Sequence, residues 1–475
     1  MIRWGISAGH HDAAISVVEE NKLLFAGHAE RYSGIKNDKN LNRALVQDAM
    51  AYGEPEELYW HESPFWKNTR RLYSGQKWQR NNVKKILRSY GLDYWAVKYT
   101  THHKSHAAAG MFTSPYRNAM VIVIDAIGEW TTSSIWSGAL AKFWSTRYPT
   151  SLGLFYSAIT DRCELKANED EYILMGMAAY GDPDRFYNDM KPLLQQNLYH
   201  GCRSFMQHID DPHKTLYFDF AAAAQKIYEE EFRKILETSK KWNYAGNLVL
   251  QGGCALNCVA NNIALEYYDN VWIMPNPGDA GASLGAVLAH THQHVGFTPY
   301  LGHNIEGTYP IFPVLKELRE NDIVGVANGR AEFGPRALGN RSLFADPRGT
   351  EIKDKVNKIK KRQEFRPFAP VIMEQYANKY FHMPVKEAPF MQYTVKCRNP
   401  EKYPAIIHVD GTSRVQTVNK KQHRGLYRLL EEFYYETGCP MLLNTSLNIK
   451  GKPIVNTAAD GAAFERKYGV KVCTS

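Results

Sequence analysis

The sequence predicts an α/β protein, on three observations. Short apolar runs at residues 2–7, 13–18 and 23–28 are separated by the polar turns GHHD and EEN, the pattern of an antiparallel meander. The apolar run 247–250 enters Gly252-Gly253, and residues 255–266 then read as a helix. The segment NPGDAGASLGAVLAHTH is a Gly-rich turn followed by a small-residue helix. Strand, Gly-rich turn and helix in succession argue for α/β layers. A further buried-type strand, 119–124, ends on Asp125. Residues 302–312 are rich in Gly and Pro without periodicity and read as a linker, after which 323–327 opens a new strand. A chain of 475 residues exceeds one ordinary core, so two domains are expected, 1–310 and 311–475. No internal repeat is evident in the sequence.

Hydrophobic residues at 44% and charged residues at 23% exclude a disordered chain. The first twenty residues carry no basic-then-apolar leader. No run approaches the roughly 18 apolar residues of a membrane span. The seven cysteines are scattered and form no CxxC pair; Cys254 and Cys258 lack the second pair of a zinc site. Together these predict a cytoplasmic protein with reduced thiols and no membrane partner. The net charge of +9 permits ATP, a phosphorylated donor or nucleic acid as partner.

THHKSHAAAG places His102 and His106 four residues apart, on one face if the segment is helical. That is ligand spacing for a divalent metal. Asp125 at a strand end and Asp279 at a helix start add two carboxylates. Two His with two Asp suit iron, zinc or manganese better than calcium. Gly252 and Gly253 allow backbone amides to approach a phosphate. The second half carries EFGPRALGNRSLFADPR, KIKKRQEFRPFAP, TSRVQTV and LLNTSLNIKGKP. Stiff loops bearing Arg forks and hydroxyls suit phosphate, ribose and carbonyl contacts.

These segments resemble the O-carbamoyltransferases of nodulation, cephamycin and tobramycin biosynthesis. The landmarks run in order through nearly the whole chain: GHHDAAIS, AERYSGIK, HHKSHAAAGMF, VIVIDAIGEW, QGGCALNCVAN, GDAGASLGA, EFGPRALGNRS, FRPFAP, SRVQTV and NTSLNIKG. The resemblance implies an N-terminal domain of the actin-like ATPase superfamily and a YrdC-like C-terminal domain. It implies that the C-terminal domain forms carbamoyl-adenylate from carbamoyl phosphate and ATP with Mg2+, and that the N-terminal domain transfers the carbamoyl group to a hydroxyl. Its metal ligands fall on His102, His106, Asp125 and Asp279, with Fe2+ favoured over Zn2+ or Mn2+. Its catalytic residues fall on His11, Asp12 and Lys36. Nucleotide and donor contacts fall on Gly252, Gly253, Asn257, Arg336, Lys360, Arg366, Arg414, Ser446 and Asn448. Two departures stand out: Asp125 is followed by Ala126 where the family has Gly, and Gln363-Glu364 replaces Glu and an aromatic.

The acceptor hydroxyl lies beyond the resemblance. Residues 65–104 hold ten Lys or Arg against one acid, Asp93, interleaved with Trp66, Tyr73, Trp78, Tyr90, Tyr94, Trp95 and Tyr99. Basic and stacking residues together suit a nucleic-acid surface. The expected acceptor is therefore a hydroxymethylated base such as 5-hydroxymethylcytosine, in DNA or as a nucleotide. A small-molecule hydroxyl on a sugar or antibiotic is the alternative. A tRNA threonylcarbamoyl-transfer relative and a non-catalytic nucleic-acid-binding protein are the further readings. A homodimer is a further expectation.

Overall fold

The computed structural model describes all residues except 80–81, 94–95, 207–213 and 243–245. Arg80, Tyr94 and Trp95 of the basic stretch lie outside the described residues. The chain divides into two units. One comprises Met1–Phe25 with Lys39–Phe297, the other Ala26–Asp38 with Thr298–Ser475. The sequence placed the division near residue 310; the segment that read as a linker instead holds a strand and the start of a helix. That strand, Tyr300–Ile305, pairs with Gly329–Glu332 through a register shift, and this irregular pairing hides its period.

The first unit contains two five-stranded sheets. Strands β1 (Ile2–Ser7), β2 (Ala14–Glu19), β3 (Lys22–His28), β4 (Glu57–Trp60) and β5 (Val97–Tyr99) take the order β3-β2-β1-β4-β5. Strands β6 (Met120–Gly128), β7 (Thr131–Ser137), β8 (Lys142–Arg147), β9 (Asn247–Gln251) and β10 (Asn270–Ile273) take the order β8-β7-β6-β9-β10. In each sheet the first strand pairs antiparallel with the second and parallel with the fourth. The topology is therefore duplicated, although the residues are not. Such a doubled sheet is the α/β architecture that the actin-like resemblance implies.

Helix α1 (Ala29–Ser33) lies in the segment 26–38 of the other unit; α2 (Arg43–Met50), α3 (Pro64–Tyr73) and α4 (Val83–Arg88) connect the first copy, and α5 (His102–Thr113) follows β5. In the second copy α6 (Leu152–Arg162), α7 (Glu171–Met177), α8 (Tyr187–Met190) and α9 (Tyr217–Lys240) precede β9, and α10 (Ala282–Thr291) follows β10. Thus α5 and α10 hold equivalent places. Every residue of α5 except Lys104 is buried, which explains its run of alanines. The two helices pack at backbone distance: a Cβ on Gly285 would sit 1.8 Å from the Ser105 carbonyl oxygen. The expected helix 255–266 is instead two short 3-10 segments, Gly253–Leu256 and Ala260–Glu266. Asn257 interrupts it, because its Oδ1 accepts the amide of Ala260 and caps a new turn.

The second unit is built on a six-stranded mixed sheet. The strands of the unit are β11 (Tyr300–Ile305), β12 (Ile323–Ala327), β13 (Gly329–Glu332), β14 (Arg341–Ala345), β15 (Ala369–Met373), β16 (Val395–Lys396), β17 (Thr412–Ser413), β18 (Gln416–Val418), β19 (Met441–Ser446) and β20 (Val472–Cys473), of which β11 with β13 and β16 with β17 form two-stranded sheets. The large sheet runs β18-β15-β19-β14-β12-β20. Helices α11 (Ile311–Asn321), α12 (Ile352–Lys360), α13 (Glu374–Tyr380), α14 (Arg424–Thr437) and α15 (Ala458–Tyr468) complete the unit. Its core gathers Val324, Phe344, Val371, Leu430 and Leu442.

Candidate active site

Three elements of the first unit deliver four polar side chains to one point. Helix α5 begins at His102, so His102 and His106 lie one turn apart on the same face. Strand β6 brings Asp125, and the turn before α10 brings Asp279. The strand does not end on Asp125, as its sequence suggested; it continues to Gly128 through a register shift after Ile124. All four residues are buried. His102 Nε2 lies 2.9 Å from Asp125 Oδ2 and 3.3 Å from Asp279 Oδ1. His106 Nε2 lies 3.2 Å from Asp279 Oδ1, 3.6 Å from Asp125 Oδ2 and 3.1 Å from His102 Nε2. Two imidazole nitrogens facing each other and two carboxylates at such distances form a donor set for a divalent ion.

Electrostatics agree with that use. Burial opposes charge on both carboxylates, yet the clustered histidines hold Asp125 and Asp279 well below the usual carboxylate range. Burial likewise opposes charge on His102 and His106, but the two aspartates raise both. The cluster thus balances negative oxygens with protons on nitrogen, and a divalent cation would take the place of those protons.

The β1–β2 turn supplies His11 and Asp12. His11 Nδ1 lies 3.0 Å from Asp12 Oδ2, and Nε2 lies 3.4 Å from Asp279 Oδ2. Burial works against its charge, but Asp279 and Asp12 raise its pKa to about 10. Four neighbours escaped the sequence reading. His10 contacts Asp279 at 3.0 Å. His61 and Glu62 follow the end of β4. Burial lowers His61 well below its ordinary range. Glu62 stays ionised against burial, at about 2, beside His10 and Lys67. Glu129 Oε1 accepts the amides of Ser63 at 2.6 Å and His102 at 3.3 Å, and burial pushes its pKa up to about 7. A polar pair directly after an apolar strand was the available signal for His61 and Glu62.

Gly252 adopts φ 89°, and a Cβ there would sit 2.1 Å from the Ile124 carbonyl oxygen. A Cβ on Gly253 would lie 3.2 Å from Asp125 Oδ1. These glycines keep the end of β9 bare beside the cluster. Asn257 is occupied within the protein, exchanging hydrogen bonds with Gln225 at 3.0 and 3.2 Å.

In the second unit, Lys360, Ser446 and Asn448 are brought together. The buried Lys360 Nζ donates to the Ser446 carbonyl oxygen, to Asn448 O at 3.0 Å and to Asn448 Oδ1 at 2.9 Å. Burial and then Arg362 and Arg366 lower its pKa well below the ordinary lysine value. Among the three arginines of EFGPRALGNRSLFADPR, Arg341 is fully buried and donates to the carbonyls of Asn456, Asn328, Gly329, Asn340 and His303. Arg348 pairs with Asp346. Arg336, Arg366 and Arg414 are half-buried, and Arg414 Nε is buried with no hydrogen-bond partner among the described residues. Lys36 is half-buried within the segment 26–38, which belongs to the second unit.

The family model for the carbamoyltransferase N-terminus matches residues 63–288, and that for the carbamoyltransferase C-terminus matches 315–474. The chain belongs to the carbamoyltransferase family. It is an enzyme that transfers a carbamoyl group. The carbamoyltransferase is 33% identical to nodulation protein NolO of Bradyrhizobium diazoefficiens, over 76% of this chain and 74% of that protein. It is 30% identical to an uncharacterised protein of Synechocystis, over 96% and 92% of the two chains. It is 26% identical to the 3'-hydroxymethylcephem-O-carbamoyltransferase of Amycolatopsis lactamdurans, over 97% and 95%. Among the described residues of the carbamoyltransferase, no helix is long and apolar enough to cross a membrane.

The basic stretch is less uniform than its composition implied. Lys67 is buried against Glu62 at 2.8 Å, Arg70 is buried, and Lys98 and Arg88 pair with Glu57 and Asp93. Lys77, Lys84 and Lys85 remain exposed. So do Phe65, Trp66, Tyr73 and Trp78, whose exposures of 48–69% mark an aromatic ridge on and after α3.

Proposed function

We propose that this enzyme is an ATP-dependent O-carbamoyltransferase whose two units divide the work. In the second unit, ATP and carbamoyl phosphate, with one water consumed, become carbamoyl-adenylate, pyrophosphate and phosphate. Arg336, Arg366 and Arg414 neutralise phosphate oxygens there, with Mg2+ accompanying ATP. The network of Lys360, Ser446 and Asn448 shapes the loop that holds the donor. In the first unit an acceptor hydroxyl attacks the carbamoyl carbon and AMP leaves. The observation that carries this reading is the buried convergence of His102, His106, Asp125 and Asp279 in a carbamoyltransferase chain.

Those four residues would hold a divalent ion, Fe2+ in preference to Zn2+ or Mn2+, which supplies Lewis acidity toward the carbamoyl and phosphate oxygens of the donor. His11, oriented by Asp12, takes the acceptor proton. A cation on Asp279 would weaken the attraction that raises His11. Lys36 acts on the donor as an electrostatic partner.

The acceptor we propose is the hydroxymethyl group of 5-hydroxymethylcytosine, in DNA or as a nucleotide. Phe65, Trp66, Tyr73 and Trp78, with Lys77, Lys84 and Lys85 beside them, support it as a surface for stacked bases and phosphates. The test supplies ATP, carbamoyl phosphate and an oligonucleotide, a hydroxymethylated nucleotide or a hydroxylated sugar, and seeks the added carbamoyl group by mass spectrometry. Carbamoylated oligonucleotide or nucleotide is expected. Product on the sugar alone would overturn the acceptor, and no carbamoyl-phosphate-dependent pyrophosphate release would overturn the reaction.

A further inference from the structure

A second cluster adjoins the first. His10, His61, Glu62 and His102 each present a ligand atom, and these atoms lie within 4.8 Å of one another. The rings of His10 and His61 stack at 5.1 Å with an interplanar angle of 14°. His61 and His102 stand at 5.6 Å, and His10 and His102 at 5.9 Å. His61 is fully buried. Among the described residues, neither of its ring nitrogens has a hydrogen-bond partner. The same holds for Nδ1 of His10 and of His102. Buried nitrogens without partners cost stability, and native cores avoid them. Three histidines with such nitrogens around one carboxylate call for a ligand.

The donors are chemically consistent. Glu62 is buried, and its Oε1 accepts from Lys67 at 2.8 Å. His102 offers Nε2 to Asp125 and Asp279, while its Nδ1 faces none of them. We propose that His10, His61 and Glu62 bind a second divalent transition cation, with His102, as an imidazolate whose ring protons pass to solvent on metal binding, presenting Nε2 to the first site and Nδ1 to the second. Three imidazoles and one carboxylate suit Zn2+, Co2+, Ni2+ or Cu2+, whereas Ca2+ and Mg2+ require oxygen donors. The second site has one carboxylate where the first has two, and Lys67 offsets part of that charge. It therefore fills after the first. This proposal rests on the reading of the first site through the shared His102, while its other ligands need no donor or acceptor to bind a cation.

The full chain, stripped of metal, is titrated with Co2+, and bound cobalt is read by elemental analysis and by visible absorption. Two Co2+ per chain are expected, bound in two steps. His61→Phe keeps the ring on His10 and should bind one. Glu62→Gln, nearly the same shape, should weaken the second step by at least about tenfold and leave the first. It gives the same reading if His61→Phe fails to fold. One Co2+ per wild-type chain, or two full-affinity steps in Glu62→Gln, overturns the proposal.

Discussion

The two halves of the first unit share a topology and differ in what they place at its centre. The first half contributes nitrogen: His10 and His11 from the β1–β2 turn, His61 from the end of β4, and His102 and His106 from the start of α5. The second half contributes oxygen: Asp125 from β6, the counterpart of β1, and Asp279 from the turn before α10, the counterpart of α5. After β4 the first half carries His61 and Glu62; after β9 the second carries Gly252 and Gly253. Doubling a fold brings equivalent strand and helix ends to one place. Each copy can then specialise, one toward neutral donors and the other toward the two negative charges that match a divalent ion.

The division can be broken most severely through the oxygen side. Asp279→Asn removes the group that reaches His10, His11, His102 and His106, and should lower both Co2+ affinity and carbamoyl transfer by about three powers of ten. Calorimetry and product formation measure it. Breaking the nitrogen side at His11, the proposed proton acceptor, is milder. His11→Ala should slow transfer about a hundredfold while carbamoyl-phosphate-dependent pyrophosphate release continues.

The join between the halves is tested by stability. Gly285→Ala drives a methyl into the Ser105 carbonyl oxygen and should cost about 3 kcal/mol in chemical unfolding. The smallest effect concerns Glu129, which links β6–β7 of the second half to the amides of Ser63 and His102 in the first. Its folded pKa, about 7, stands above its ordinary value of 4.5. The stability it confers is complete below the ordinary value and is lost as pH rises through 7. Metal-free wild type should therefore lose about 2 kcal/mol relative to Glu129→Gln between pH 5 and pH 8. Equal pH dependence of the two proteins would remove Glu129 from the account.

Much of the frame was legible because local patterns coincide with it. The opening meander, β9 and α10 announce themselves by apolar runs and Gly-rich turns. The His102 and His106 spacing and the strand and helix ends at Asp125 and Asp279 marked four residues that the structure places together. The duplication was invisible, since topology repeats without residues: IRWGIS and MVIVIDAIG have little in common beyond being buried. His10 and His61 were missed because their meeting depends on the pairing of β1 with β4, a long-range register that no local window contains. The roles of Arg341 and Lys360 were similarly hidden. An arginine or lysine that binds carbonyl oxygens reads, in sequence, like one that binds phosphate.

The central claim is that the mixed nitrogen and oxygen centre serves transfer rather than adenylation. It is tested most directly in Asp125→Asn supplied with ATP, labelled carbamoyl phosphate and an acceptor that wild type carbamoylates. The account predicts that pyrophosphate release persists while labelled product nearly vanishes. Loss of both reactions together, or of neither, would contradict it.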